Sequence, residues 1–203
     1  MKKAIILLIV FCIAAFAQQK DTFTDPRDKK KYKTTKIGKR TWMAENLSFD
    51  ARGSKCYDNK TSNCDKYGRL YDWYMAKKAC PKGWHLPANA EWDNLVRYAD
   101  GDEGAESPYD SETAGKLLKA KSGWNDYKGE SGNGRDKYGF TALPGGYGNA
   151  DSNLNGIGND GFWWSSNADD DRAYGRNMGY DGEFIYYTYY AKSYFFSIRC
   201  VKN

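Results

Sequence analysis

The feature that most limits what this chain can fold into is its shortage of aliphatic side chains. From residue 18 onward it has fourteen Ile, Leu and Val against 31 Trp, Tyr and Phe. Ile, Leu, Val and Phe together make about 11% of that stretch, below the roughly 20% under which highly charged chains stay disordered. The charge is modest, however, at +5 formally for the whole chain. Each aromatic side chain can bury about 150–250 Å², so rings supply the missing apolar area. A disordered chain, a coiled coil and a membrane bundle are excluded. So is a parallel α/β core, whose strands read as runs of Val, Ile and Leu. The composition calls for one compact, turn-rich domain with an aromatic core.

The chain starts Met1-Lys2-Lys3, and an unbroken apolar run of fourteen residues follows from Ala4 to Ala17. A spanning helix needs about 20 residues, so the run is too short. Ala15-Phe16-Ala17 fits a small-x-small cleavage pattern. The expected division is a signal peptide at 1–17 and a single domain at 18–203. The mature protein is then secreted, extracellular, cell-surface or periplasmic, and does not span a membrane. Cys12 lies in the leader. Cys56, Cys64, Cys80 and Cys200 remain, an even count that favours two disulfides in an exported chain. Three connectivities are open. Cys56–Cys64, closing a short loop, and Cys80–Cys200, tying mid-chain to the end, are the favoured pairs. A zinc site is not expected, with no Cys-x-x-Cys pair and His85 the only histidine.

Residues 32–37 and 40–44 are β-prone runs around Gly38-Lys39 and predict a hairpin. Helices are expected over 67–79, with Leu70, Trp73 and Tyr74 as its stripe, from Pro87 to Gly101, and over 111–121 with Ser111 as cap. Beyond Gly123 the texture turns to Gly, Asn, Asp and aromatics. Short strands are expected at 139–142, 162–165, 173–178, 184–190 and 195–201. Hairpin, helices, then short antiparallel strands read as α+β. Lys29-Lys30-Lys31 and Asp169-Asp170-Asp171 are read as solvated turns, and nucleic acid is not an expected partner.

The best candidate for binding is the stretch 174–194. There Tyr174, Tyr180, Tyr187 and Tyr189, with Arg176, form a ligand-binding set beside polar amides. Side chains alternate along a strand, so one of Tyr186-Tyr187 and one of Tyr189-Tyr190 should face outward. The rest, with Trp163-Trp164, are assigned to the core. The expected partner is a polysaccharide or another surface protein. A weak calcium candidate is Asp151, Asn153, Asn155 and Asp160, which opens like a calcium loop but has Phe162 where the bidentate Glu belongs. An Asx-turn explains those residues more simply, and no cofactor is expected. Neither a nucleophile elbow nor a phosphate-cradling loop occurs.

Several separate motifs resemble one family. They are Phe23-Thr-Asp-Pro-Arg-Asp28, Ile37-Gly-Lys-Arg-Thr-Trp-Met-Ala-Glu-Asn-Leu47, Cys80-Pro-Lys-Gly-Trp-His-Leu-Pro87 with Ala90-Glu-Trp92, Gly139-Phe-Thr-Ala-Leu-Pro-Gly-Gly146, Trp163-Trp-Ser-Ser166 and Ser197-Ile-Arg-Cys-Val201. The family is the Fibrobacter succinogenes major paralogous domain, and it implies an exported bacterial protein without an assigned activity. More distantly, Leu86-Pro87, the Trp164-Ser-Ser run and Phe196-Ser-Ile-Arg-Cys200 resemble the sulfatase-modifying, formylglycine-generating group. That resemblance implies a C-type-lectin-like fold, two main helices beside a small twisted, irregular antiparallel β core, and supports Cys80–Cys200. Its enzymes need a reactive cysteine pair near the chain end or three iron-binding histidines. This sequence has neither, so the expected role is non-enzymatic. A distantly related enzyme and a structural envelope component are the alternatives.

Overall fold

A computed structural model describes residues 20–101 and 111–203. The expected leader and Cys12 lie outside the described residues. Two five-stranded sheets make up most of the fold. In the first, β1 (Lys20–Thr24), β2 (Lys31–Ile37) and β3 (Arg40–Met43) run as a meander. It continues through β12 (Val201–Lys202) to β4 (Trp84–His85), so the last strand lies between segments far away in sequence. The small sheet pairs β5 (Asp126–Tyr127) with β6 (Glu130–Ser131). The second large sheet uses β7 (Gly145–Gly148), β8 (Leu154–Ile157), β9 (Asp160–Ala168), β10 (Arg172–Gly179) and β11 (Tyr186–Ala191). Its order is β11-β10-β9-β7-β8. The described helices are α1 (Thr61–Tyr67), α2 (Trp73–Ala79), α3 (Asn89–Asp100) and α4 (Ala114–Leu118).

The structure overturns the α+β, C-type-lectin-like expectation. The molecule is mostly β, and two main helices beside a small irregular sheet are not what it contains. Only α3, at twelve residues, exceeds two turns. β9 and β10 are longer than the strands expected at 162–165 and 173–178, at nine and eight residues. The helix expected over 67–79 begins only at Trp73. A Cβ at Gly68 would lie 2.6 Å from Asn46 Cβ, so the backbone there passes too close to a neighbour for any other residue. Leu70 and Tyr71 are extended and exchange backbone hydrogen bonds with Lys55 and Phe196. Asp72 then caps α2, its carboxylate accepting the Met75 N–H at 2.7 Å. The expected strand at 139–142 is an irregular turn closed by Asp136, which accepts the Thr141 N–H. The strand expected over 195–201 shrinks to β12, preceded by single bridges from Phe195, Phe196 and Ser197. The hairpin stands as expected, with Ile37 opposite Arg40.

Both favoured disulfides are present, Cys56–Cys64 and Cys80–Cys200, with Cα separations of 5.0 and 5.9 Å. The core has two main parts, and β9 separates them. Trp163 packs on one side with Trp42, Trp92, Leu95 and Phe140. Trp164, the next residue, points to the other side and joins Tyr71, Phe196 and Ile198. Both Trp are fully buried, as the composition required of them.

Polar groups stitch this core. The Asn46 amide oxygen accepts from Trp163 Nε1 at 2.8 Å and from Arg199 Nη2 at 2.7 Å. Its nitrogen donates to the Tyr67 carbonyl at 2.8 Å. Arg199 is completely buried and also donates to the carbonyls of Phe140 and Thr141. Lys119 is buried too. Its Nζ donates to the Gly179 and Gly182 carbonyls and lies 4.8 Å from the centre of the Trp124 ring. Burial, helped by Lys116 and opposed by Glu183 and Asp181, pulls its pKa from 10.5 down to about 8. Between those values the unfolded chain holds a proton that the folded chain has lost, so stability from this group rises with pH across that window. Wild type should therefore gain stability relative to Lys119→Met between about pH 7.5 and 9.5, measured as urea midpoints. A difference independent of pH would show that Lys119 does not titrate low.

Candidate binding site

β10 and β11 pair antiparallel, with Tyr174 opposite Tyr189 and Arg176 opposite Tyr187. Directly opposed residues share a face, so these four side chains lie together, with Arg172 at the near end of β10. The alternate residues turn to the second core part. There Ala173 is buried, and Tyr190 packs edge-on against Phe162 and Phe196. Gly175 has no room for a side chain: a Cβ would sit 2.4 Å from the Trp163 carbonyl oxygen.

The shared face carries a ladder of planar groups. The Arg176 guanidinium lies 4.6 Å from the Tyr187 ring centre, Tyr187 stacks on Tyr174 at 5.3 Å, Tyr174 meets Tyr189 at 5.8 Å, and Arg172 lies 4.8 Å over Tyr189. The Tyr–Tyr planes are inclined by 30° and 32°. Since the rings stack on each other, Tyr174 presents its hydroxyl edge more than its face. Tyr189 is 48% exposed and Tyr186, stacked on Phe184, is 41% exposed. Of the three large hydrophobic residues that are exposed among those described, two are therefore on β11; the third is Tyr74 on α2.

The far end of the ladder is anchored by α3. Arg176 is fully buried and donates to Asp93. Burial raises the Asp93 carboxyl above its ordinary pKa, and Arg176 and Arg97 pull it back only in part. Asn89 Nδ2 donates to the Tyr187 hydroxyl at 3.2 Å, and the Asn89 N–H donates to Asn167 Oδ1 at 2.8 Å. Asn89 and Asp93 are one helical turn apart, so α3 offers both from one face. Sequence reasoning missed both. Their only signal was a polar pair at i, i+4 next to the apolar stripe of Trp92, Leu95 and Val96. Arg172, two residues before that stretch, was not in the expected set.

Tyr174, Arg176, Tyr187 and Tyr189 are thus brought together. Tyr180 is not. It lies past the other end of β10, edge-on to Tyr127 at 5.4 Å, and its N–H donates to the Asn159 carbonyl. The calcium candidates are strung along the β7–β8 hairpin. Asp151 is exposed in its turn, which Asn149 closes by accepting the Asn153 N–H. Asn155 stands opposite Tyr147 within β8, and Asp160 begins β9, where burial and Asp181 raise its pKa. No group of three His, Cys, Asp or Glu among the described residues is placed to hold a metal ion.

His85 bridges two elements, with Nε2 2.8 Å from Glu91 Oε2 and Nδ1 2.7 Å from Asn203 Oδ1. Glu91 also accepts the Ala88 N–H, capping α3, and lies 3.2 Å from Arg40. Glu91 and Arg40 border a cavity of about 700 Å³ between the β2–β3 turn and α3, walled by Trp42, Leu95 and Tyr98. No sequence motif marks this cavity.

No helix among the described residues is long and apolar enough to cross a membrane. No curated protein and no solved structure matches the chain. One family model does, covering most of the length and all but the first of the motifs that carried the resemblance. It is the Fibrobacter succinogenes major domain, matched over residues 35–202, and the chain belongs to that family.

Proposed function

We propose that this domain is an exported, non-enzymatic binding module and that the β10–β11 face is where it engages polysaccharide. The observation that carries this reading is the Tyr–Arg ladder itself. It pairs half-exposed aromatic area with phenol hydroxyls and the exposed Arg172 on a sheet packed from behind through Trp164. A sugar chain alternates apolar C–H surfaces with hydroxyl groups, and such a strip offers partners for both. Burial of Arg176 against Asp93 holds the ladder before any ligand arrives, which lowers the ordering cost of binding. Two closed disulfides fit an oxidising, exported setting. Cys200 is tied to Cys80, and His85 to Glu91 and Asn203, which favours a structural use of both over catalysis.

A glycan array and a cellulose pull-down test the reading. Arg172→Ala and Tyr189→Ala should each weaken retention about tenfold, the loss of one stacked or charged contact. Tyr74→Ala, at an exposed aromatic outside the ladder, should leave it unchanged. Equal loss in all three variants, or no retention of the folded wild type on any glycan, would overturn the proposal.

A further inference from the structure

The run Lys29-Lys30-Lys31 leads from the β1–β2 turn into β2. Lys30, Lys31 and Lys33 line one side of a groove of about 240 Å³, and Lys66, near the end of α1, lines it from another. The groove lies at the start of β2. Lys20, where β1 begins, stands opposite Thr35, toward the other end of that strand, and no lining residue adjoins residues 1–19 or 102–110 in sequence.

Two carboxylates stand among these lysines. Lys30 Nζ is 3.5 Å from Asp65 Oδ1, and Lys33 Nζ is 3.8 Å from Glu45 Oε1. Both pairs are long, and Asp65 and Lys33 are largely exposed, so the ammonium groups are loosely held by them. Lys30 also donates one of its three N–H groups to Ser48 Oγ at 2.6 Å. Lys31 and Lys66 form no ion pair among the described residues. The inner side adds a fifth cation. Asn46 and Thr141 line the groove, and Arg199 lies behind both, its Nη2 donating to Asn46 Oδ1 at 2.7 Å and to the Thr141 carbonyl at 3.3 Å. Arg199 is fully buried with neutral hydrogen-bond partners, and Glu45 and Asp136 act on its charge from farther away. Five cations therefore meet three carboxylates, Glu45, Asp65 and Asp136, an excess of two positive charges. Low-dielectric walls focus such an excess into a cleft. The α1 carbonyls that would repel an anion are covered. Cys64 O accepts from the Gly68 N–H and Ser48 Oγ, and Tyr67 O accepts from Asn46 Nδ2.

We infer that this groove is a second binding site, for a tetrahedral oxyanion carried as a sulfate or phosphate ester on a sugar. Ammonium groups are point charges on flexible stems and close on a tetrahedral oxyanion from several sides. A planar carboxylate is matched best by the arginine fork, and no arginine among the described residues lines the groove. An excess of two positive charges suits the one or two negative charges of such an ester. Ala44 and Leu143 beside Ser48 and Thr141 give the carrier both apolar and polar contacts, as a sugar ring requires. The groove shares no residue with the β10–β11 ladder, so the two sites stand or fall separately.

The test uses nitrogen-15-labelled protein purified with both disulfides intact. Amide signals are followed during titration with glucose 6-phosphate, glucose 6-sulfate, glucuronate and glucose. Both esters should move signals of residues 30–33, 44–48, 64–68 and 141–143 and leave those of β10 and β11 in place. The tighter of the two identifies the source of the oxyanion. Glucuronate should bind about fivefold more weakly or less, and glucose should move nothing. Lys31→Ala combined with Lys66→Ala, at exposed positions, should weaken ester binding about tenfold. Lys128→Ala, at an exposed lysine outside the groove, should not change it. No shift from either ester at about 10 mM would overturn the inference. So would shifts confined to other residues, a double variant that binds like wild type, equal loss in Lys128→Ala, or glucuronate binding as tightly as the esters.

Discussion

Arg199→Met is expected to destabilise the protein by about 3 kcal/mol, a large part of the 5–15 kcal/mol that holds a domain of this size together. Arg199 is fully buried, and no carboxylate among the described residues forms an ion pair with it. Its partners are neutral. Nε and Nη2 donate to Asn46 Oδ1, at 3.0 and 2.7 Å, Nη1 donates to the carbonyls of Met43 and Phe140, and Nη2 also donates to that of Thr141. The guanidinium carbon also lies 4.4 Å from the Phe140 ring centre. Burial pulls its pKa below the ordinary guanidinium range, so holding the cation here is costly in itself. Methionine recovers that cost and matches the length. It leaves three backbone carbonyls without a donor, however, each worth about 1–3 kcal/mol when buried, and that sum is the larger. Arg199→Lys should not rescue. It keeps a charge to bury but replaces a planar fork of five donors with one compact head group that cannot reach Asn46 and the carbonyls together. Urea midpoints for the two variants check this. A methionine variant within about 0.5 kcal/mol of wild type would mean the carbonyls find other partners.

This network also shows what the sequence could and could not disclose. Asn46 comes from one family-like motif, Trp163 from another and Arg199 from a third, and the three motifs meet in the core rather than at a surface cleft. Motif recognition therefore identified the family and said little about function. Arg199 carried a faint signal, a cation set among Ile198, Cys200 and Val201, but no local rule tells a buried arginine from an exposed one. The β2–β3 hairpin and α3 were legible because turn chemistry and periodicity are local. The helix expected over 67–79 was not, because Gly68 is held by its approach to Asn46, a tertiary contact. The preference for two helices over sheet failed for a related reason. Aromatic residues fit a helix stripe and a strand face equally well in sequence, and only the cross-strand partners decide. The binding stretch was legible as a crowd of tyrosines. Which of them stand together needed the β10–β11 register, and Tyr180 was lost for that reason.

Opening the Cys80–Cys200 bond should cost more than opening Cys56–Cys64, and should affect the whole fold. Chain entropy sets the order. The longer loop joins residues 120 apart and the shorter joins residues 8 apart, which corresponds to about 4.9 and 2.6 kcal/mol as upper estimates. Topology adds to the difference. Cys200 immediately precedes β12, and Cys80 ends α2 and leads into β4, the strand on which β12 pairs at Val201–His85. β12 is only two residues long and lies between β3 and β4, so this bond fixes the strand that closes the first sheet. Cys56–Cys64 instead closes a surface-side turn against α1, next to the small cluster of Tyr57, Leu70 and Phe195. Paired Ala substitutions test this. Loss of Cys56 and Cys64 should lower the urea midpoint and leave one cooperative transition, because the sheets do not depend on that turn. Loss of Cys80 and Cys200 should lower it further and speed amide exchange in β3, β4 and β12 ahead of β9 and β10. Equal effects from the two pairs, or exchange that quickens first in β9, would place the weight of the fold elsewhere than at this closing strand.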